Sequence, residues 1–102
     1  MLIEEIFQNM ATSYRPGAVK STTSYYYCLG PIRKTVLLAP DSCRVEEGRA
    51  VENADCVCKT SEEFFLKIWR DGYVPGLKDF LSGTIKSNDP QALKTFLAAF
   101  GK

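Results

Sequence analysis

The sequence predicts an α+β fold, a mostly antiparallel sheet of about five strands with helices packed over one face. Two observations carry this expectation. The apolar period is close to two residues from Val19 to Lys59 and close to 3.6 from Phe64 to Phe100. Runs of strands also stand apart from runs of helices, which points to α+β rather than to an alternating parallel sheet. With 102 residues the chain has room for one core, so residues 1–102 are expected to form a single domain.

The elements follow in order. Leu2, Ile3, Ile6, Phe7 and Met10 recur at helical spacing, with Glu4 and Glu5 in the first turn, where the helix dipole favours acids. A helix over about residues 2–12 is expected, stopped by Arg15-Pro16-Gly17. Val19 to Leu29 is rich in Val, Thr and Tyr and reads as a strand, with Tyr25, Tyr27 and Leu29 on one face and Tyr26 and Cys28 on the other. Gly30-Pro31 turns the chain into a second strand, Ile32 to Ala39. Pro40-Asp41-Ser42 turns it into a third, Cys43 to Glu46. Asp55 to Lys59 is a fourth, with Cys56 and Cys58 facing one way and Val57 the other. Thr60 and Glu63 fit a capping box, with Ser61 as the alternative cap, for a helix striped by Phe64, Phe65, Ile68 and Trp69 and ended by Asp71-Gly72. Pro75 suits the first turn of a helix carrying Leu77, Phe80 and Leu81, which Gly83 stops. Thr84-Ile85-Lys86 is one short strand. Asp89-Pro90 caps and opens an amphipathic C-terminal helix striped by Leu93, Phe96, Leu97 and Phe100.

Composition limits the function classes. Apolar residues make up 45% and charged residues 25% of the chain, and the net charge is +1. That balance argues for a folded protein and supplies none of the basic field a nucleic-acid binder needs. No apolar run approaches the roughly 18–20 residues that span a bilayer. Residues 1–11 lack the basic and then continuous apolar regions of a signal peptide, and the end, Phe100-Gly101-Lys102, lacks a peroxisomal tripeptide. A cytoplasmic location is expected.

Histidine is absent, which removes the commonest general base and the commonest metal ligand. Glu46 and Glu47 are adjacent in a strand and point to opposite faces, and Glu62 and Glu63 open a helix where acids belong for capping reasons. Neither pair reads as an acid/base site, so no enzyme, catalytic residue or cofactor is expected. Cys28, Cys43, Cys56 and Cys58 read as free thiols: two positions apart in a strand, Cys56 and Cys58 are at or past disulfide range. Cys43, Cys56 and Cys58 share one sheet face, which raises a soft-metal thiolate site as a minor alternative to small apolar packing.

From about Cys43 to Phe100 the sequence resembles the sterol carrier protein 2 lipid-binding domain family. The resemblance rests on Val45-Glu46-Glu47-Gly48, on Asn53-Ala54-Asp55-Cys56-Val57-Cys58-Lys59-Thr60-Ser61, and on Gly72-Tyr73-Val74-Pro75. It continues through Asp79-Phe80-Leu81-Ser82-Gly83-Thr84-Ile85-Lys86 and through the leucines Leu93 and Leu97. Asp79 stands where the family usually has a small residue, Thr84 replaces a usual lysine, Asp89-Pro90 replaces Gly-Asp, and the tyrosine triplet Tyr25-Tyr26-Tyr27 is bulkier than usual.

The resemblance implies non-enzymatic binding of a lipid, such as a fatty acyl chain, sterol or isoprenoid, in an apolar cavity between sheet and helices, with transient membrane-surface contact. Burying about a dozen methylenes yields on the order of 10 kcal/mol before ordering costs, which leaves micromolar-class affinity. The candidate wall and lid residues are Phe64, Ile68, Trp69, Leu77, Phe80, Leu81, Leu93, Phe96, Leu97 and Phe100. The last helix, tethered on its N-terminal side and carrying the small Ala98 and Ala99, is expected to swing as a lid. Set against this, stripes of this kind also serve as ordinary core, and a protein-interaction module without a cavity is the alternative.

Overall fold

The computed structural model describes residues 2–101, with the side chain of Leu2 excepted. The inward placement expected for Leu2, and the terminal residues Met1 and Lys102 used in the targeting argument, lie outside the described residues. The elements are α1 (Leu2–Ser13), β1 (Thr23–Leu29), β2 (Ile32–Leu38), β3 (Cys43–Glu47), β4 (Cys56–Thr60), α2 (Glu62–Asp71), α3 (Leu77–Leu81), β5 (Ile85–Ser87) and α4 (Pro90–Ala99). The fold is the α+β class expected.

The five strands form one sheet in the order β3-β2-β1-β4-β5. Short turns at Gly30-Pro31 and Pro40-Asp41-Ser42 make β1, β2 and β3 antiparallel neighbours. The longer 48–55 segment carries the chain past β2 and β1, so β4 joins β1 as the one parallel pair, and β5 adds antiparallel to β4. Register aligns Val45, Val36, Tyr25 and Cys56 across the sheet on one face, and Glu47, Lys34, Tyr27 and Cys58 beside them. The helices cover this face.

Several boundaries moved for identifiable reasons. The first strand begins at Thr23 rather than Val19, because its ladder with β2 ends at the Thr23–Leu38 pair. Beyond it the partner chain turns at Pro40, which has no N–H to give. Val19 is nevertheless buried. Ser61, not Thr60, caps α2: its hydroxyl accepts from the Phe64 N–H at 3.0 Å. Thr60 belongs to β4 and donates to the Thr84 carbonyl at 2.7 Å, tying β4 to β5. Gly72 ends α2 in the left-handed region at φ 72°, where glycine escapes the Cβ clash. Pro75 precedes α3 instead of opening it. The Gly76 N–H donates to the Asp79 carboxylate at 2.9 Å, which makes Gly76 the cap, and the helix starts two residues after the proline. Asp89 caps α4 by accepting from the Ala92 N–H at 3.1 Å.

On the inward face, Tyr25 and Tyr27 stand at the centre of an aromatic cluster. Phe96 of α4 lies 4.9 Å from Tyr25 and 5.1 Å from Tyr27, centroid to centroid. Phe7 of α1 and Phe65 of α2 meet Tyr27 at 5.9 and 5.8 Å, and Phe7 stacks on Phe65 at 5.6 Å. Trp69 and Phe100 extend the cluster along α2 and α4. On the outer face, part of the 48–55 segment folds over the strands. The Thr35 hydroxyl donates to the Gly48 carbonyl and accepts from the Ala50 N–H, and the Arg49 guanidinium sits 5.8 Å from the Tyr26 ring.

Among the described residues, Lys34 is the buried charge on the inward face. It is 3% exposed, yet its ammonium binds the carboxylates of Glu4 on α1 and Glu47 on β3. Burial alone would lower its pKa, but the hydrogen bonds to Glu4 and Glu47 outweigh that and raise it. Placed at the margin of the core, this cation with two partly solvated partners spans α1, β2 and β3.

Two outcomes are expected. Phe96→Ala removes the side chain shared by Tyr25, Tyr27, Trp69 and Phe100, and should cost about 3–5 kcal/mol of unfolding free energy by urea titration. The second concerns alkali. Burial raises the Cys43 thiol to about 11 and the Cys58 thiol to about 12, from an ordinary 9.0. Across that window the folded chain holds protons that the unfolded chain has released, so stability falls as pH rises. The raised Lys34 acts in the same direction. Urea midpoints should drop from about pH 8 to about pH 11, and drop less in Cys58→Ala.

Candidate functional site

The ten residues expected to line a lipid site separate into three groups. Ile68, Leu93, Phe96, Leu97 and Phe100 are buried in the core, and Phe64, Trp69 and Phe80 pack against it half-buried. Leu77 and Leu81 correct the expectation: at 75% and 78% exposure they face solvent. Four residues apart, they share one side of α3, and a five-residue helix has a single inward side, which Phe80 occupies. Val74, in the connection before α3, is exposed as well, at 65%.

The space between sheet and helices is filled. Tyr25, Tyr27 and Phe96 are 1%, 1% and 0% exposed, with ring centroids about 5 Å apart, and no open cavity separates α4 from the sheet there. The last helix is also held at both ends, which corrects its picture as a lid free at its C-terminal end. The Tyr25 hydroxyl donates to the Ala92 carbonyl at 3.0 Å near the start. The Arg15 N–H donates to the Ala99 carbonyl at 2.9 Å near the finish, where Phe100 packs on Tyr14. Ala99 is fully buried rather than bordering free space, while Ala98 faces outward.

An apolar groove of about 190 Å³ lies between α2 and α4, lined by Ile68, Gly72, Tyr73, Val74, Lys94 and Leu97. Ligand pockets generally occupy roughly 300–1,000 Å³, so the groove holds only part of a lipid as it stands. A larger concavity of about 540 Å³ runs along α2 and is lined by Glu63, Lys67, Arg70 and Asp71 among others. Phe64 and Leu66 share its walls with these charges, and its wide mouth leaves it open to water.

The rim of the α2–α4 groove is built by a side-chain cluster. The Tyr73 hydroxyl donates to the Asp79 carboxylate at 2.6 Å, and the Lys67 ammonium lies 4.3 Å from the Tyr73 ring. The Tyr73 hydrogen bond, with that from the Gly76 N–H, holds Asp79 below the usual carboxylate range. Asp79, a departure from the usual small residue, thus fixes the turn from α2 to α3 and sets Tyr73 against the groove. Sequence patterning gave no sign of this trio, since none of its members lies on an apolar stripe. Tyr25 and Tyr27 were legible as one strand face. Their place opposite Phe96 was not, because it depends on how α4 crosses the sheet.

The thiols do not assemble. Cys43, Cys56 and Cys58 share the inward face as expected, but two strands lie between Cys43 and Cys56, a separation of roughly 14 Å. Among the described residues no group of three or more cysteine or carboxylate side chains is placed to hold a metal ion.

No family model and no curated protein matches the chain. Solved structures do. Over 100% of this chain and 17% of its own length, the sec-alkylsulfatase Pisa1 from Pseudomonas sp. superposes with a TM-score of 0.84 at 15% identity. The chain therefore spans about a sixth of that enzyme. The UbiJ-SCP2 ubiquinone synthesis protein matches at TM-score 0.66 and 16% identity, over 97% of this chain and 96% of its own. The apo sterol carrier protein 2 of Yarrowia lipolytica matches at 0.60 and 14%, over 95% and 91%. These superpositions, over nearly the whole length of two sterol carrier protein 2 structures, show that the chain has the sterol carrier protein 2-like fold.

Proposed function

We propose that the chain binds a lipid without catalysing its conversion, taking an acyl chain, sterol or isoprenoid into the aromatic interior between sheet and helices. The observation that carries this reading is the fold likeness to sterol carrier protein 2 structures over nearly their whole length. It is supported by an apolar groove whose lining includes two residues of the core, Ile68 and Leu97. Phe96, beside Leu97 in sequence, packs on Tyr27 at 5.1 Å. Of the ten expected residues, Phe64, Ile68, Trp69, Phe80, Leu93, Phe96, Leu97 and Phe100 remain in the proposed site. They enter as rings and branched chains that repack around the ligand.

Exposed Val74, Leu77 and Leu81 have a different role in the proposal. They would touch the membrane during uptake and release. Val74 also lines the groove, and Lys67, Lys78 and Lys94 lie on α2, α3 and α4, where each cation near an anionic surface is worth about 1 kcal/mol. A cytoplasmic location belongs to the same reading, since the half-buried thiols Cys28 and Cys43 would stay reduced there.

The likeness to a segment of a sec-alkylsulfatase, with the higher TM-score of 0.84, favours a second reading. In it the same fold holds an alkyl chain as one module of a longer enzyme. Preferential capture of long-chain alkyl sulfates or secondary alcohols over sterols would favour this reading.

Native mass spectrometry after incubation with a mixed lipid extract, followed by solvent extraction, tests the proposal. A discrete adduct that yields an acyl, sterol or isoprenoid species is expected. A bare protein mass under the same conditions would move the reading to a closed, protein-binding module. For the membrane contact, Leu77→Asp with Leu81→Asp should lower flotation with anionic vesicles several-fold and leave Tm unchanged, as both side chains are exposed. Unaltered flotation would remove α3 from the contact.

A further inference from the structure

Tyr27 presents a difficulty that the fold does not resolve. Its ring is 1% exposed, at the centre of the inward face, and its hydroxyl has no hydrogen-bond partner among the described residues. Phe7, Phe65 and Phe96 enclose it at 5.9, 5.8 and 5.1 Å. A buried hydroxyl left unmade is costly, and a phenylalanine would fill the same space. Tyr25, two positions earlier on the same face, shows the ordinary solution by donating to Ala92.

We infer that the Tyr27 hydroxyl is the polar anchor of the lipid site, donating a hydrogen bond to one neutral acceptor oxygen, such as a ketone, ester or quinone-type carbonyl, on a largely apolar ligand. The inference rests on the lipid-binding reading above and adds the chemistry of the ligand's polar end. The position suits it, because Phe96, which adjoins the groove residue Leu97 in sequence, packs on Tyr27 at 5.1 Å, so displacing that ring would uncover the hydroxyl on the side of α4. The charge of the surroundings selects a neutral group. Lys34, the cross-strand neighbour of Tyr27, is the cation on this face, and both Glu4 and Glu47 already compensate it. A carboxylate at Tyr27 would therefore be buried without a free counter-charge.

The test compares three ligands of equal carbon count, methyl pentadecyl ketone, heptadecane and heptadecanoate, delivered from cyclodextrin to the wild type and to Tyr27→Phe. Binding is read by native mass spectrometry. The wild type should bind the ketone about tenfold more tightly than the alkane, and the variant should lose that ratio while keeping its alkane affinity. Heptadecanoate should bind more weakly than the ketone. Without ligand, Tyr27→Phe should melt higher by roughly 4 °C, since it removes an unsatisfied group. Equal binding of ketone and alkane by the wild type would overturn the anchor and leave lipid binding intact. So would a lower melting point of the ligand-free variant. A wild type that binds none of the three would overturn the lipid-binding reading and the anchor together.

Discussion

The packing of Tyr25 and Tyr27 against Phe96 is the contact on which the rest of the structure depends. Both tyrosines lie on β1, which is flanked by β2 on one side and β4 on the other. Their rings stand where all three long helices converge, with Phe7 from α1, Phe65 from α2 and Phe96 from α4. Helices segregated to one face of a sheet need a single apolar surface to cover, and register supplies it. The alternation that turns Tyr25, Tyr27 and Leu29 inward also turns Val36, Leu38, Cys56 and Cys58 inward on the neighbouring strands. A one-residue slip of β1 would exchange this surface for Tyr26 and Cys28 and leave the helices without a platform.

The same dependence explains which parts of the fold and the site were legible in the sequence. Periodicity located all nine elements, because amphipathic strands and helices are local patterns. It erred where a tertiary partner sets the outcome. Residues 19–22 have strand propensity but no ladder beyond Leu38. Thr60 has the chemistry of a cap, yet a hydrogen bond to β5 claims it. Leu77 and Leu81 satisfy a helical stripe, but a stripe does not say which side of a five-residue helix meets the core, and the Asp79 cluster decides that. Lys34 could have been found: Ile32, Lys34, Val36 and Leu38 alternate, so parity alone places the lysine on the inward face. What parity could not supply was the pair of glutamates that makes its burial tolerable.

Fold likeness at 14–16% identity to an alkylsulfatase segment, a ubiquinone synthesis protein and a sterol carrier protein shows how little of the sequence the architecture constrains. Inward parity, two tight turns and the capped helices suffice for the backbone, and function has to be argued from the site itself. In this chain the distinguishing features are local. An aspartate-tyrosine-lysine cluster shapes the groove rim, a row of exposed leucines lies beside it, and a phenol without a partner sits one ring deeper.

Magnitudes decide how a ligand could reach that phenol. Swinging α4 away as a unit would expose Leu93, Phe96, Leu97 and Phe100, at about 1.5–3 kcal/mol each, and break the hydrogen bonds at Ala92 and Ala99, at about 1 kcal/mol each. The total, on the order of 8–14 kcal/mol, is comparable to the roughly 10 kcal/mol that a dozen buried methylenes return. A swinging helix would leave little for binding. Rotating the Phe96 ring aside costs far less, because the displaced ring remains among apolar neighbours and the two end ties stay made. In the proposed lipid-binding reading, an incoming chain would replace the contacts the ring gives up, and a Tyr27 hydrogen bond would shift the balance toward the occupied state. The tethers on α4 thus favour, within that reading, a site opened by side chains around a fixed helix, with Phe96 as its gate.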